Sequence, residues 1–182
     1  MSNNSKRIEN HEFFSHSSPE VAVNLLGKLL CREKEDGETV CLRITVTEAY
    51  EENDSACYGI DYKNGKYITQ APTPATAPLY EGGGVWCIYG GMLLLACGRK
   101  GIPENVLIRE AGNEEHYCNG PFNLCKYLGI DKSLHGEDAT TSDSLCLKDD
   151  GTAREYCITQ RVRLGKDVRD EDRKRKNRFI SL

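Results

Sequence analysis

The sequence predicts an α+β fold: one domain in which a curved, mostly antiparallel sheet is flanked by helices and carries a protruding β-hairpin. Three observations favour this class. Strand-like alternation dominates the middle of the chain, helix-like spacing flanks it, and no internal repeat or long linker divides the 182 residues. A chain of this length buries roughly two thirds of its surface on folding, which suffices for a single core.

The segment SSPEVAVNLLGKLLCRE predicts the first helix. A serine cap precedes Pro19 at a first-turn position, and Glu20 follows. Four apolar residues are then spaced along one helical face: Val21, Leu25, Leu26 and Leu29. The following KEDGET predicts a turn into a strand.

The strand VCLRITVTEAY places Val40, Leu42, Ile44 and Val46 on one apolar face. By the same alternation Glu48 and Tyr50 continue that face, which is an unusual position for a carboxylate. One interpretation is a partly exposed strand-end carboxylate paired with an arginine. The other is a general base in a cavity, accompanied by a cation such as Arg109.

The centre of the chain predicts a loop, a hairpin and a further strand. Residues 54–81 are rich in Tyr, Thr, Pro and Gly, which indicates a long irregular surface loop. GGGVWCIY and MLLLAC are joined by Gly-Gly, a hairpin signal, and NVLIREA adds another short strand. NGPFNLCKYLGI predicts a helix capped by Asn119 and ended by Gly129.

The composition argues against several classes of site. Nine cysteines, an odd number without a CxxC pair, argue against a disulfide framework and a thiolate zinc site, so we expect reduced thiols in a reducing compartment. The four histidines show no metal-ligand spacing, and no metal or cofactor is predicted. The longest apolar run, MLLLAC, and the polar start of the chain predict an intracellular protein that does not bind a membrane.

The charge distribution leaves two interpretations open. A net charge of −4 disfavours a nucleic-acid partner, yet Arg and Lys concentrate in RVRLGKDVRDEDRKRKNRF. This stretch is either a solvated polar segment or a source of phosphate contacts. The sequence contains no serine nucleophile elbow and no GxxxxGK or GxGxxG motif, so hydrolysis by a carboxylate is the most economical chemistry.

The order of several blocks resembles a known family. These blocks are FF at 13 and 14, VAVNLLGKLLCRE, RITVTEAYEENDSAC, TPATAPLYEGGGVWCIY, NVLIRE, NGPFNLCKYLGI, HGED, VRLGKD and NRFISL. Together they resemble the alkyladenine DNA glycosylases, the monofunctional 3-methyladenine DNA glycosylases, from about residue 13 to 180. The resemblance implies a glycosylase domain at 13–182 after a polar tail at 1–12.

The resemblance also implies roles for individual residues. Members of the family rotate a damaged nucleotide out of the duplex and stack its base in an aromatic pocket. Glu48 matches the general base that deprotonates the attacking water. Arg109 matches the arginine that orients this carboxylate and the water. Tyr50 and Tyr89 match the pocket walls, and the carbonyl of Leu164 matches an acceptor for the water. With no lysine in place of Glu48, base removal without strand cleavage is expected.

Five positions depart from the family pattern. Tyr58 stands where a histidine usually contacts the lesion base, and Cys97 stands where an asparagine excludes undamaged guanine. Ala75 and Asn123 replace an arginine and a lysine. The hairpin after Tyr89 lacks the usual intercalating tyrosine, and Met92 is the candidate apolar wedge. These departures leave the substrate range and the strength of DNA binding open.

The resemblance therefore implies a monomer acting on double-stranded DNA that contains damaged purines. Its substrates would be 3-methyladenine, 7-methylguanine, hypoxanthine or ethenoadenine, with Tyr58 and Cys97 also facing the base and Arg163 and Arg178 contacting DNA. It would act in the nucleus of a eukaryote or the cytoplasm of a bacterium. Two alternatives remain: a catalytically weakened or non-catalytic relative that binds damaged DNA, and a domain that binds a small ligand.

Overall fold

The structure, a computed structural model, describes residues 4–182. In this range three α-helices are α1 (Ser18–Leu25), α2 (Pro121–Leu128) and α3 (Asp170–Arg173). Short 3-10 turns span His11–Phe14, Ala77–Tyr80 and Lys132–Leu134. The strands are β1 (Lys6–Arg7), β2 (Leu29–Glu33), β3 (Thr39–Tyr50), β4 (Ile60–Lys63), β5 (Lys66–Thr69), β6 (Trp86–Tyr89), β7 (Met92–Ala96), β8 (Asn105–Gly112), β9 (Tyr117–Cys118), β10 (Leu145–Asp149), β11 (Tyr156–Thr159) and β12 (Arg178–Ser181).

One curled antiparallel sheet organises the domain, and the predicted α+β class is confirmed. Its strand order is β1-β10-β2-β3-β8-β7-β6, with β9 paired to β8. The long strand β3 pairs with β8 on one side; on its other side the first half pairs with β2 and the second half with β12. Strand β3 is therefore the element that connects the two ends of the sheet.

The first helix is shorter than the sequence predicts. Its start is as expected, since Ser17 and Glu20 form a capping box before Val21. It ends at Leu25, however, and the chain turns through Gly27, whose φ of +82° lies in the region that favours glycine. Leu29 consequently opens strand β2, so its predicted place on the helical face is wrong.

A register shift in β3 changes which face Glu48 occupies. Between Ile44 and Thr47 the pairing with β8 is irregular, with extra residues first on β3 and then on β8. Such bulges change the alternation of side chains along a strand. Ala49, not Glu48, therefore joins Ile44 in the main core, and Tyr50 belongs to a second cluster. The prediction that Glu48 and Tyr50 continue the face of Ile44 is wrong.

The two faces of the sheet carry different clusters. The main core lies between the sheet and helices α1 and α2, and the Thr47 hydroxyl donates to the Ala22 carbonyl of α1 at 2.9 Å. On the opposite face a smaller cluster includes Tyr50, Leu94 and Leu107. Leu107 is the direct cross-strand partner of Glu48, so the carboxylate lies on the side of this smaller cluster.

The β6–β7 hairpin and the end of α2 are confirmed, and two other expectations are corrected. Trp86–Tyr89 pairs with Met92–Ala96 across Gly90 and Gly91, and Gly129 ends α2 in the left-handed conformation. The N-cap of α2 is Gly120 rather than Asn119, and Pro121 begins the helix. Residues 54–81 are not irregular throughout, because they contain the separate β4–β5 hairpin and the turn Ala77–Tyr80.

The expectation that every cysteine is a reduced thiol is wrong for one pair. Cys31 and Cys41 lie directly opposite each other on β2 and β3, with Cα atoms 4.1 Å apart, and form a disulfide. The other seven cysteines are free, and of these only Cys157 is exposed. This finding removes the cysteine-based reason for expecting a reducing compartment.

Of the segment predicted as a polar tail, residues 1–3 lie outside the described residues, while Lys6 and Arg7 pair with strand β10. Within residues 4–182, none of the helices is both long and apolar enough to cross a membrane.

Candidate active site

Glu48 is fully buried, and three donors surround its carboxylate. Oε2 accepts from the Tyr50 hydroxyl at 2.9 Å and from Arg109 Nη1 at 3.3 Å. Oε1 accepts from the backbone N–H of Val162 at 3.2 Å. The side chain of Glu48 has no exposed area. A buried carboxylate requires such compensation, because an unpaired charge inside a protein is costly.

A cavity of about 470 Å³ lies beside this carboxylate. Both side-chain partners of Glu48, Tyr50 and Arg109, line it, so the carboxylate lies directly behind the cavity wall. Leu94 and Leu107 of the smaller cluster form the sheet side of the wall. The volume falls in the range of about 300–1,000 Å³ typical of small-molecule sites.

Tyr50 is both an apolar surface and a hydrogen-bond donor. Burial raises its pKa well above the usual range, and the neighbouring Glu48 raises it further. The phenol therefore stays protonated and can donate to the carboxylate. The guanidinium of Arg161 lies 4.8 Å from the centre of the Tyr50 ring, a cation–π arrangement that fixes the ring.

Tyr58 and Tyr89 are brought together, but only Tyr58 is among the described residues that line the cavity. Their ring centroids are 4.1 Å apart and the ring planes are inclined by 34°. Burial raises the pKa of Tyr58, and Tyr89 adds to the effect, so Tyr58 remains a neutral phenol. Tyr89 thus packs against the ring of Tyr58.

The segment 161–175 closes one side of the cavity and is held by buried charge pairs. Arg161 and Asp54 form a salt bridge in which neither side chain is exposed, with Nη2 3.1 Å from Oδ1, and Arg161 also donates to the carbonyl of Ala49 at 3.0 Å. These contacts place Val162, Arg163 and Leu164 on the cavity wall. Sequence reasoning missed Arg161 and Asp54, because nothing in their spacing indicates a pair 107 residues apart.

Asp172 anchors the same segment from its far end. Its side chain accepts from the Ser55 hydroxyl at 2.6 Å, from the Tyr67 hydroxyl at 2.8 Å and from Arg175 at 3.0 Å. Burial opposes ionisation, but the hydrogen bonds from Ser55 and Tyr67 outweigh it and lower the pKa of Asp172. The loop after β3 and the segment before β12 are thereby joined.

The remaining predicted residues are distributed unevenly around the cavity. Met92 lines it, and Arg163 lines it while remaining exposed. Arg178 does not, since it lies on β12 opposite Glu48 with a side chain only 16% exposed, 3.7 Å from Glu110. Cys97 is fully buried in the main core on the other face of the sheet, so the structure does not bring it to the cavity.

This fold and site define a class: a single-domain α+β protein with a buried, arginine-paired carboxylate behind a cavity lined by tyrosine side chains. Residues 12–181 match the family model described as methylpurine-DNA glycosylase (MPG). The chain therefore belongs to the methylpurine-DNA glycosylase family, whose members are DNA-repair hydrolases of N-glycosyl bonds.

Relatives in three prokaryotes agree with this assignment, and each carries the name "Putative 3-methyladenine DNA glycosylase". The Natranaerobius thermophilus protein is 30% identical over 88% of each chain. The Psychrobacter cryohalolentis protein is 31% identical and the Methanocella arvoryzae protein 32% identical, each over 92% of this chain and 89% of the relative. The match covers nearly the whole of both chains in each case.

Proposed function

We propose that this protein removes alkylated or deaminated purines from double-stranded DNA by hydrolysing the N-glycosidic bond, leaving an abasic site. Its substrates are 3-methyladenine, 7-methylguanine, hypoxanthine or ethenoadenine, and it acts as a monomer. One arrangement supports this activity above all. Glu48 lies behind the wall of a cavity large enough for a base, with Tyr50 and Arg109 shared between the carboxylate and the cavity.

Glu48 acts as the general base for the attacking water. A carboxylate oxygen accepts two hydrogen bonds, and Oε1 receives one from Val162 N–H, so it retains acceptor capacity for a water proton. Arg109 orients the carboxylate, and the carbonyl of Leu164, a cavity residue, offers the water a second acceptor. A general base and a water held in line with C1′ of the sugar accelerate the reaction by positioning the nucleophile and by accepting its proton.

Some of these bases are good leaving groups, so the protein needs to supply less stabilisation when the glycosidic bond breaks. An alkylated purine such as 3-methyladenine or 7-methylguanine is already cationic and departs readily. Hypoxanthine and ethenoadenine are neutral and depend more on protonation or hydrogen bonding by the pocket. Tyr58 lines the cavity and, as a neutral phenol, supplies a stacking surface and one hydrogen-bond donor. We therefore expect faster release of the cationic bases.

The reaction stops at the abasic site. Cleavage of the strand by a glycosylase requires an amine that forms a Schiff base with the sugar. The described residues that line the cavity include no lysine. Water is thus the nucleophile, and strand breaks appear only after separate treatment with alkali.

The test is product analysis on duplexes carrying each of the four lesions. The purified protein should release free base and leave an intact strand that alkali then cleaves. Glu110→Gln is the matched control for Glu48→Gln, since Glu110 lies on the same sheet but outside the cavity lining, and it should release base at the wild-type rate. Binding of lesion DNA without release of any of the four bases would contradict the proposal and favour a non-catalytic relative.

A further inference from the structure

Phe122 is an exposed aromatic side chain at the mouth of the cavity. It occupies the second position of α2, is 55% exposed and lines the cavity. Exposed apolar side chains mark an interaction site where they form a contiguous patch at a binding groove. No part of the proposed hydrolysis uses this residue.

The Phe122 ring lies against the turn of the β6–β7 hairpin. A Cβ atom built on Gly91 would be 3.4 Å from Cδ1 of the ring, so the ring packs directly on this turn. Met92 follows the turn, is half-buried and lines the same cavity. Phe122 and Met92 therefore form one apolar rim, with Phe122 as its more exposed member.

Cations accompany this rim. Lys126 lies four residues after Phe122 on α2, on the same side of the helix, and is exposed. Arg163 is exposed on the cavity wall formed by the segment after Arg161. An apolar rim accompanied by two cations fits a duplex, whose phosphates surround stacked bases.

We propose that Phe122, supported by Met92, enters the duplex beside the lesion and fills the space that the extruded nucleotide leaves. This inference rests on the proposed function, since a base must leave the stack before Glu48 can act on it. Unstacking one nucleotide is unfavourable, and an inserted apolar side chain offsets this cost by replacing the lost stacking contacts. Phe122 is thus a positioning residue, not a catalytic one.

The test follows base extrusion without excision. Ethenoadenine is fluorescent and is quenched when stacked in a duplex, so its emission reports unstacking. All variants are prepared with Glu48→Gln, which keeps the base attached. Phe122→Ala should lower the unstacked fraction about tenfold, whereas Phe122→Leu, which keeps apolar bulk, should retain most of it. Tyr127→Ala, which removes an aromatic ring from the same helix outside the cavity lining, is the matched control and should leave it unchanged.

The outcomes separate this inference from the proposed function. The inference is overturned if the Phe122→Ala variant and the protein that retains Phe122 give equal ethenoadenine emission. It is also overturned if none of the proteins raises the emission. Unstacking that depends on Phe122, without base release by the protein that retains Glu48, supports the inference and contradicts the proposed function. Circular dichroism and thermal melting of each variant establish that a loss of emission does not reflect unfolding.

Discussion

The Tyr50 hydroxyl donates a hydrogen bond to Glu48 Oε2 across 2.9 Å, although the two residues lie only two positions apart on β3. The contact is possible because alternate residues of a strand project to the same side. Tyr50 lines the cavity and its hydroxyl contacts the carboxylate, so one residue connects the cavity to the proposed general base.

Tyr50→Phe should lower the free energy of unfolding by about 1.5–3 kcal/mol, because it removes a buried hydrogen bond to a charged group while keeping the ring. Urea unfolding measures the change. Tyr156→Phe is the control, since Tyr156 is exposed on β11, and its unfolding midpoint should not move. The same midpoint for both variants would show that the Tyr50 hydroxyl contributes nothing to stability.

Arg161→Met should destabilise the protein by about 3–5 kcal/mol, because it leaves the buried Asp54 carboxylate without its partner. Arg99→Met breaks the exposed pair with Glu52 and should cost less than about 1 kcal/mol. Adding Asp54→Leu to Arg161→Met should recover part of the loss. Urea unfolding of the wild type and the three variants measures these changes. Equal losses of unfolding free energy for Arg161→Met and Arg99→Met would contradict the role of the buried pair.

Asp172 should make stability fall in acid. Its folded-state pKa lies below the ordinary value of 3.8, so its stabilisation is fully present above that value and is lost as the pH falls through the folded pKa. Asp172→Asn lacks the ionisable carboxyl group and therefore lacks this pH-dependent stabilisation. The difference in unfolding free energy between wild type and variant should be largest near neutral pH and should narrow below 3.8 in urea titrations. A difference independent of pH would refute the assignment.

The Cys31–Cys41 disulfide should contribute about 2–3 kcal/mol, since it closes a loop across ten positions of sequence. Replacing both cysteines with serine should lower the urea midpoint, and a reductant should lower that of the wild type but not of the double variant. Cys157→Ser, at the exposed free cysteine, should change neither. Peptide mapping without reduction that finds both thiols free would contradict the pairing.

Local patterns predicted much of the fold correctly. The serine cap before Pro19, the Gly-Gly hairpin and the glycine stop of α2 each depend on residues within a few positions of one another. These features follow from backbone preferences that a short segment sets by itself. The strand containing Glu48 was also predicted, and so was Arg109 as a possible partner of its carboxylate.

Long-range pairing explains what the sequence did not predict. The face of Glu48 depends on the irregular register between Ile44 and Thr47, which arises only when β3 meets β8. The Cys31–Cys41 pair depends on the alignment of β2 with β3, and an odd cysteine count gives no indication of it. Likewise, Arg161 and Asp54 become neighbours only after the C-terminal segment folds over the sheet.

We propose that Glu48 activates the water that cuts the glycosidic bond. The decisive experiment is single-turnover release of 3-methyladenine and hypoxanthine from duplex DNA, compared between wild type and Glu48→Gln. Both proteins should bind lesion DNA alike, and the variant should release base about 10²–10⁴-fold more slowly. Equal release rates for the two proteins would contradict this proposal.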